Sequence, residues 1–368
     1  MDVTAYTARV MEDVRSSQSA QGAFPDCIPP FVPTMKLSSP GWADAGVILP
    51  YTSWMQNGDT GVVRANWSAM ETYMAWIEKA NPDHVWRKQR GADYGDWLSV
   101  DAPTSNPGAP TTPKDLLATA LWANDAAMMA QMAEALGNAA AAARYRALFQ
   151  TIRGAFNATF VSADGKVGNG SQTGLVVAIR FGLLLPEQTR AAGAALAADI
   201  ARRGNHLSTG FIGTPHILDA LAMSGQEAMA ITLLTQRTFP SWGYMVEKGA
   251  TTMWERWNSD QGDVGMNSRN HYAFGAIGDF LFRRIAGIAP ATPGFGKVRI
   301  APIMSPALGK GGATYQSVRG PIRTAWTAGG GQFRLDVDLP AGVDGEVILP
   351  GGRAARAVAG PNRFSGKL

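Results

Sequence analysis

Apolar positions recur with a helical period through the first 287 residues. The stretches lie near 2–18, 44–57, 60–80, 114–136, 138–160, 171–184, 186–203, 213–224, 226–236 and 267–287. Gly58, Gly137, Gly182, Gly204 and Gly225 stand just past such stretches, where a helix closes on a left-handed C′ residue. Thr112-Pro113 and Thr214-Pro215 read as an N-cap followed by Pro at N1, and Asp44 and Asp59 read as further N-caps. Links as short as Gly137-Asn138 and Gly225 force the flanking helices to run antiparallel. The pattern therefore predicts helical hairpins rather than a parallel α/β alternation. The Met128-Met129-Met132 stripe has helical spacing and is expected to pack a core.

From about residue 295 the texture changes to short alternating runs divided by Gly and Pro: Lys297–Ile300, Ala313–Val318, Ile322–Thr327, Phe333–Leu339 and Glu346–Leu349. These predict a small antiparallel β-sandwich. The fold class is mainly α with an all-β C-terminal part, divided near Pro290–Gly294 into a helical domain 1–290 and a β domain 291–368. Four long connections, 19–43, 81–113, 204–212 and 237–266, hold much of the Trp, Asp and Gly. Loops of that length in a compact domain are usually functional or disordered, and the aromatic content argues for order.

Composition narrows the function. With 368 residues, 46% hydrophobic and 17% charged, the chain has enough interior for two folding units and is not disordered. No apolar run approaches the roughly 18 residues of a bilayer span. The stretch after Met1, with Asp2, Arg9, Glu12, Asp13 and Arg15, does not read as a signal peptide, so a cytoplasmic location is expected. The 33 basic and 29 acidic side chains include no basic run, and no nucleic-acid partner is expected. One cysteine, Cys27, and four scattered histidines offer neither a disulfide nor a metal cluster, and no metal or other cofactor is expected. H-E-x-x-H, G-x-S-x-G, Walker A and strand-borne G-x-G-x-x-G patterns are absent.

What the loops do hold is carboxylates beside tryptophans: Gly41-Trp42-Ala43-Asp44, Tyr94-Gly95-Asp96-Trp97 and Thr251-Thr252-Met253-Trp254-Glu255-Arg256-Trp257. Sugar sites have this composition. Indole faces stack on pyranose C–H faces, carboxylates accept hydrogen bonds from vicinal hydroxyls, and one carboxylate works as acid or base. Each residue also has a structural reading. Trp42 and Trp97 would serve as apolar plugs, Glu255 as half of an ion pair with Arg256 or another arginine, and His271, opening the last helix, as a core histidine. His84, His206 and His216 carry only the structural reading.

The order of these motifs, joined by Thr209-Gly210-Phe211-Ile212-Gly213-Thr214-Pro215, Pro240-Ser241-Trp242 and Met266-Asn267-Ser268-Arg269-Asn270-His271-Tyr272, resembles the catalytic region of bacterial α-L-rhamnosidases. The resemblance extends through the β-rich tail. It implies an (α/α)6 barrel followed by a β-sandwich, and hydrolysis of rhamnose-containing glycosides with inversion. Residue by residue it makes Glu255 the general base, Trp42 and Trp97 walls of a rhamnose pocket, Asp96 a neighbouring polar group, and His271 a hydrogen-bond partner of the sugar or the base.

One departure is plain: the family's general acid lies in an Asp-Glu-Arg-x-Gly-Trp pattern, and these 368 residues contain none. Ten predicted helices are also two short of a closed twelve-helix barrel. The expectation is an incomplete barrel with impaired hydrolysis, its open seam covered by a second copy of the chain. A carbohydrate-binding pseudoenzyme or inactive fragment, or another glycosidase or a polysaccharide lyase on the same barrel, are the rival readings.

Overall fold

The computed structural model describes residues 3–30, 38–103, 106, 109, 111–261 and 268–368. They fall into two compact units, one of Ala8–Pro50 and Val63–Gly275, the other of Met1–Thr7, Tyr51–Val62 and Ala276–Leu368. No described helix is long and apolar enough to cross a membrane.

The helices follow the periodic stretches: α1 (Thr4–Ser16), α2 (Ala45–Asn57), α3 (Gly61–Ala80), α4 (Lys114–Ala135), α5 (Ala139–Phe160), α6 (Gln172–Arg180), α7 (Pro186–Arg202), α8 (Ile217–Met223), α9 (Glu227–Leu234), α10 (Trp242–Glu247) and α11 (Ile277–Phe280). Three hairpins form as the short links require: α4 with α5, α6 with α7, and α8 with α9. Gly137 and Gly225 turn two of them at φ of 73° and 82°, values costly for a residue with a Cβ. Asn138 accepts a hydrogen bond from the Ala141 N–H at 3.0 Å, so α5 starts with a side-chain cap.

Burial alternates along the chain. In α4, 15 of 22 residues are buried, including Met128, Met129 and Met132, and in α6 all but Arg180 are. By contrast α5 and α7 each bury a single face, in α7 only Ala192, Gly193, Leu196 and Ile200. Inner helices covered by amphipathic outer ones are the arrangement of an α/α barrel.

Three expectations need correction. α10 lies inside the stretch predicted as loop 237–266; Ser241 caps it through the Tyr244 N–H at 2.9 Å, and six residues are too few for a periodic signal. The expected caps at Thr112 and Thr214 do not act as such, because α4 starts after Pro113 and α8 after His216, while the Thr112 hydroxyl bonds Ser171 and the Thr214 hydroxyl bonds Thr209. The last helical segment opens at Phe274 rather than at residue 267, and passes through a 3-10 turn (Phe274–Ala276), α11 and a π turn (Leu281–Ile285).

In the second unit eight strands form two four-stranded sheets. They are β1 (Ile288–Pro290), β2 (Lys297–Ile300), β3 (Lys310–Ser317), β4 (Gly320–Gly329), β5 (Gln332–Leu339), β6 (Asp344–Leu349), β7 (Arg353–Ala357) and β8 (Gly360–Lys367), ordered β1-β2-β6-β7 and β3-β4-β5-β8. All pairs are antiparallel except β2 with β6. Ile322, Trp326, Leu335 and Val337 of one sheet and Val298, Ile300 and Val347 of the other share one buried cluster, so the unit is a sandwich.

A polar cluster sits in the core of the helical unit. Asp44 precedes α2, as a cap would, but its carboxylate turns inward. It accepts from the Gly41 N–H at 2.5 Å and the Tyr73 hydroxyl at 2.9 Å and meets Asp125 of α4; all three side chains are buried. Burial drives the Asp125 carboxyl well above the usual carboxylate range, and the neighbouring Asp44 charge adds to it. Burial also raises Asp44 against the pull of its donors, and Tyr73 is pushed up by burial and both carboxylates. Of the two neighbouring carboxyls, Asp125 is thus the one driven most strongly toward its protonated form.

The folded state holds a proton that the unfolded chain releases, so this contribution to stability is complete below the ordinary carboxylate range and is lost as pH rises through the raised value. Asp125→Asn keeps the shape and a permanent donor. Its urea midpoint is expected to fall less than that of the wild type between about pH 4 and about pH 8. Parallel curves would overturn the raised Asp125 carboxyl.

Candidate functional site

The tryptophan-bearing loops are fixed by short polar ties. Ser39 donates to Asp26 twice, from N and from Oγ, each at 2.6 Å, and the same Oγ accepts from the Ala92 and Asp93 N–H groups at 2.9 and 3.2 Å. Asp26 also receives the Tyr94 hydroxyl, and burial outweighs these donors and raises its carboxyl. Tyr94 in turn packs between the two indoles, 4.6 Å from Trp42 and edge-on at 5.7 Å from Trp97. Trp42 and Trp97 are half-buried, so each packs on one side and leaves surface on the other. Gly41 is required before Trp42. Its φ is 86°, and a Cβ there would lie 2.4 Å from Ile212 Cδ1.

Asp96 is 5% exposed and does not face open space. One oxygen accepts from the Gly210 N–H at 2.7 Å and from the Thr173 hydroxyl; the other accepts from the Ile212 and Gly213 N–H groups at 2.8 and 3.1 Å. Burial raises its carboxyl while these four donors pull it down. Asp96 thereby joins the Tyr94–Trp97 loop to the Gly210–Gly213 loop. Gly210 permits the approach, since a Cβ there would sit 2.3 Å from the Trp97 carbonyl oxygen. The Phe211 N–H donates to that same carbonyl at 2.9 Å, and the Phe211 ring reaches His271 at 5.0 Å.

Glu255 lies on a stretch that runs antiparallel to Ser268–His271. Its N–H donates to the Ser268 carbonyl at 2.8 Å, its Oε2 accepts from the Ser268 N–H at 3.0 Å, and the His271 N–H donates to the Met253 carbonyl at 2.8 Å. Side chains divide along the stretch. Trp254 and Trp257 are buried, and Glu255 and Arg256 are half-exposed. Trp257 stacks on Phe274 at 4.1 Å and meets Trp242 edge-on at 5.4 Å, while the Trp242 indole N–H bonds the Phe274 carbonyl at 3.0 Å. No ion pair of Glu255 with Arg256 or another arginine occurs among the described residues; the Ser268 amide takes that place.

His271 does not open a helix. It sits in the loop before Phe274, with Nδ1 accepting from the Ala273 N–H at 3.3 Å, which leaves the proton on Nε2. Met266 and Asn267 of the same motif lie outside the described residues. Trp42, Trp97 and His271, and through them the Glu255 stretch, are thus joined by one line of contacts through Tyr94 and Phe211. Tyr94 and Phe211 stand within the sequence motifs but carry no signal of their own there. Ser39, a lone serine in a Pro-rich loop, likewise carries no signal in the sequence.

The Asp96 ties generate a test. Asp96→Asn turns an NH2 group toward two donors, and two orphaned buried donors cost roughly 2–6 kcal/mol. The variant is expected to unfold at correspondingly lower denaturant, with faster proteolysis around residues 205–215. A wild-type midpoint would show that both carboxylate oxygens are not needed.

The chain is similar to known proteins along its whole length. Residues 1–285 match the family model of the bacterial alpha-L-rhamnosidase 6 hairpin glycosidase domain, and residues 287–363 match that of the bacterial alpha-L-rhamnosidase C-terminal domain. An α-L-rhamnosidase of Streptomyces avermitilis is 39% identical over 355 residues, 95% of this chain and 33% of that protein. One from Formosa agariphila is 34% identical, covering 95% of this chain and 38% of the relative. The chain therefore spans about a third to two fifths of the length of these relatives. Among solved structures, the S. avermitilis α-L-rhamnosidase complexed with L-rhamnose superposes with a TM-score of 0.88 at 34% identity, covering 99% of this chain and 38% of that one. The α-L-rhamnosidase from Aspergillus terreus gives 0.93 at 27% identity, covering 99% and 43%. A match that runs the length of the helical region and continues into the strand-rich one decides the relationship: the chain belongs to the bacterial α-L-rhamnosidases of the 6-hairpin glycosidase type.

Proposed function

We propose that the chain carries the base side of an inverting α-L-rhamnoside hydrolysis. The observation that supports this reading best is the Glu255 carboxylate, half-exposed, oriented by the Ser268 amide, and set on the stretch that pairs with His271. In an inverting site one carboxylate activates water on the face of the sugar opposite the leaving group, and an acid protonates the departing oxygen. Glu255 takes the first role. Trp42 and Trp97 offer indole surface to the sugar, His271 offers its Nε2 proton, and Asp96 acts indirectly by setting the two loops. The family's acid pattern does not occur in these residues. Leaving groups that depart unprotonated are accordingly the ones this chain is expected to release.

The experiment is the cleavage of a 4-nitrophenyl α-L-rhamnoside followed by proton NMR of the first product. Slow release of the inverted anomer is expected, with Glu255→Gln lowering the rate by about 10²–10⁴-fold. An unchanged rate in the variant would remove Glu255 from the reaction. The missing acid pattern also favours a second reading, a carbohydrate-binding protein without turnover, for which L-rhamnose binds and no product appears.

Val3, Tyr6, Leu281 and Phe282 expose large apolar side chains, and a second copy of the chain is our proposed cover. Sedimentation at micromolar concentration is expected to give a dimer; a monomer that binds no hydrophobic dye would overturn it.

A further inference from the structure

The outer face of the β3-β4-β5-β8 sheet carries a trough of about 1200 Å³. Its shape follows from the strand register. Gly312, Ala325 and Asp336 lie side by side on β3, β4 and β5, and Arg363 of β8 stands opposite Asp336. Gly312 and Ala325 barely rise above the sheet, while the rows two residues to either side bear longer side chains, Lys310 and Arg334 in one and Arg323 and Asp338 in the other. Gly312 must stay bare, because a Cβ there would lie 2.2 Å from the Thr324 carbonyl oxygen. At about 4.8 Å per strand the floor runs roughly 14 Å from β3 to β8, the reach of a short chain of sugar rings.

Charge on this face is uneven. Lys310, Arg323, Arg334 and Arg363 line the trough against two carboxylates, Asp336 and Asp338. Asp336 holds two of the arginines at once: its Oδ1 accepts from Arg363 Nε at 2.7 Å and its Oδ2 from Arg334 Nε at 2.9 Å. Both guanidiniums are thus bound by the inner Nε, and their terminal amino groups have no partner among the described residues. Two forks fixed by one carboxylate keep one positive charge in excess and match an oxyanion. Arg323 is tied to Asp338 at 3.1 Å, and Lys310 makes no ion pair among the described residues. The exposed positions of the four strands carry neither an aromatic nor a large aliphatic side chain, so the face has no platform for nucleic-acid bases and no anchor for a peptide side chain. Asp336 and Asp338 repel a densely charged polyanion but accept hydrogen bonds from hydroxyls. A polymer whose oxyanions are spaced by hydroxyl-bearing units suits both signs.

We propose that this trough binds an acidic polysaccharide, with a carboxylate or sulfate group held by the Arg334 and Arg363 forks and neighbouring sugar units lying over Ala325 and Gly312 toward Lys310. None of these residues belongs to the set proposed for hydrolysis, and the role is attachment to a polymer rather than turnover. The choice of a glycan as the polymer rests on the rhamnoside reading; the oxyanion does not.

Equilibrium titration of the chain with dextran, carboxymethyl dextran and dextran sulfate tests the proposal, with poly-L-glutamate as an acidic polymer that holds no sugar. At least one charged dextran is expected to bind about 10- to 100-fold more tightly than dextran, the range of a charge-assisted hydrogen-bond pair, and the tighter of the two identifies the oxyanion. Arg334→Gln combined with Arg363→Gln is expected to abolish that preference. Ala325→Phe, which fills the floor, is expected to weaken binding of the charged dextran about tenfold or more. Melting temperature stays unchanged in both, since exposed ion pairs contribute little to stability. Absence of any preference in the wild type overturns the proposal without recourse to a variant, and so does a preference that survives the double substitution or an affinity untouched by Ala325→Phe. Poly-L-glutamate bound as tightly as the charged dextrans overturns the glycan. A charged dextran bound by a chain that releases nothing from the aryl rhamnoside supports the trough and sinks only the hydrolytic reading, so the two failures are distinguishable.

Discussion

The site depends on a buried carboxylate that has no basic partner among the described residues. Asp96 is satisfied by three backbone N–H groups and one hydroxyl, which makes it an organiser of main chain rather than half of an ion pair. An anion in the interior is tolerable only when its lone pairs are filled, and here they are filled by a loop more than a hundred residues away. The loops therefore cannot slide independently. Trp97 leaves the Asp96 tie with its carbonyl bound to Phe211, and Phe211 in turn sets the His271 ring. A single charge thus transmits position from one rim loop to the next, and the other polar ties, Ser39 to Asp26 and Glu255 to Ser268, extend the same device.

The aromatic side chains serve two ends that the sequence does not separate. Trp254 and Trp257 are buried, whereas Trp42 and Trp97 remain half-exposed around Tyr94. What distinguishes them is the local backbone. In the Trp254–Trp257 stretch, tied to Ser268–His271 by backbone hydrogen bonds, the two tryptophans are buried while Glu255 and Arg256 keep exposed surface. Before Trp42, a glycine with positive φ turns the chain sharply enough to bring the ring onto Tyr94. A motif of Trp beside a carboxylate thus states that a site is near, but it does not state which of the two residues faces it.

This is also the boundary of what the sequence discloses. The hairpins were legible because Gly137, Gly182, Gly204 and Gly225 all take positive φ, a demand that few other residues meet. Strands β4 and β5 were legible because Ile322, Trp326, Phe333, Leu335 and Val337 alternate inward. β7 and β8 were not, since R-A-A-R-A and G-P-N-R-F-S-G-K hold almost no β-branched or large apolar residues and are recruited by pairing with β6 and β5. Likewise a local rule gave Asp44 the place of an N-cap, and it does stand there. Its carboxylate is claimed instead by Tyr73 and Asp125, 29 and 81 positions away, which no local pattern encodes.

The burial pattern explains why chemistry resides in the loops at all. Inner helices such as α4 and α6 are buried almost all round, so a polar side chain on them must find its partner within the core, as Asp125 does with Asp44 and Thr173 with Asp96. Outer helices bury one face and turn the other to solvent, where a lone carboxylate meets only water. The long connections are the places where main-chain N–H groups are free to orient a carboxylate while one side stays open. Glu255, set by one amide and paired with no arginine among the described residues, meets that condition. Arg256, the next residue, lines a small cleft and makes no ion pair with Glu255 among the described residues, so the two adjacent charges of the Trp-Glu-Arg-Trp stretch do not cancel each other.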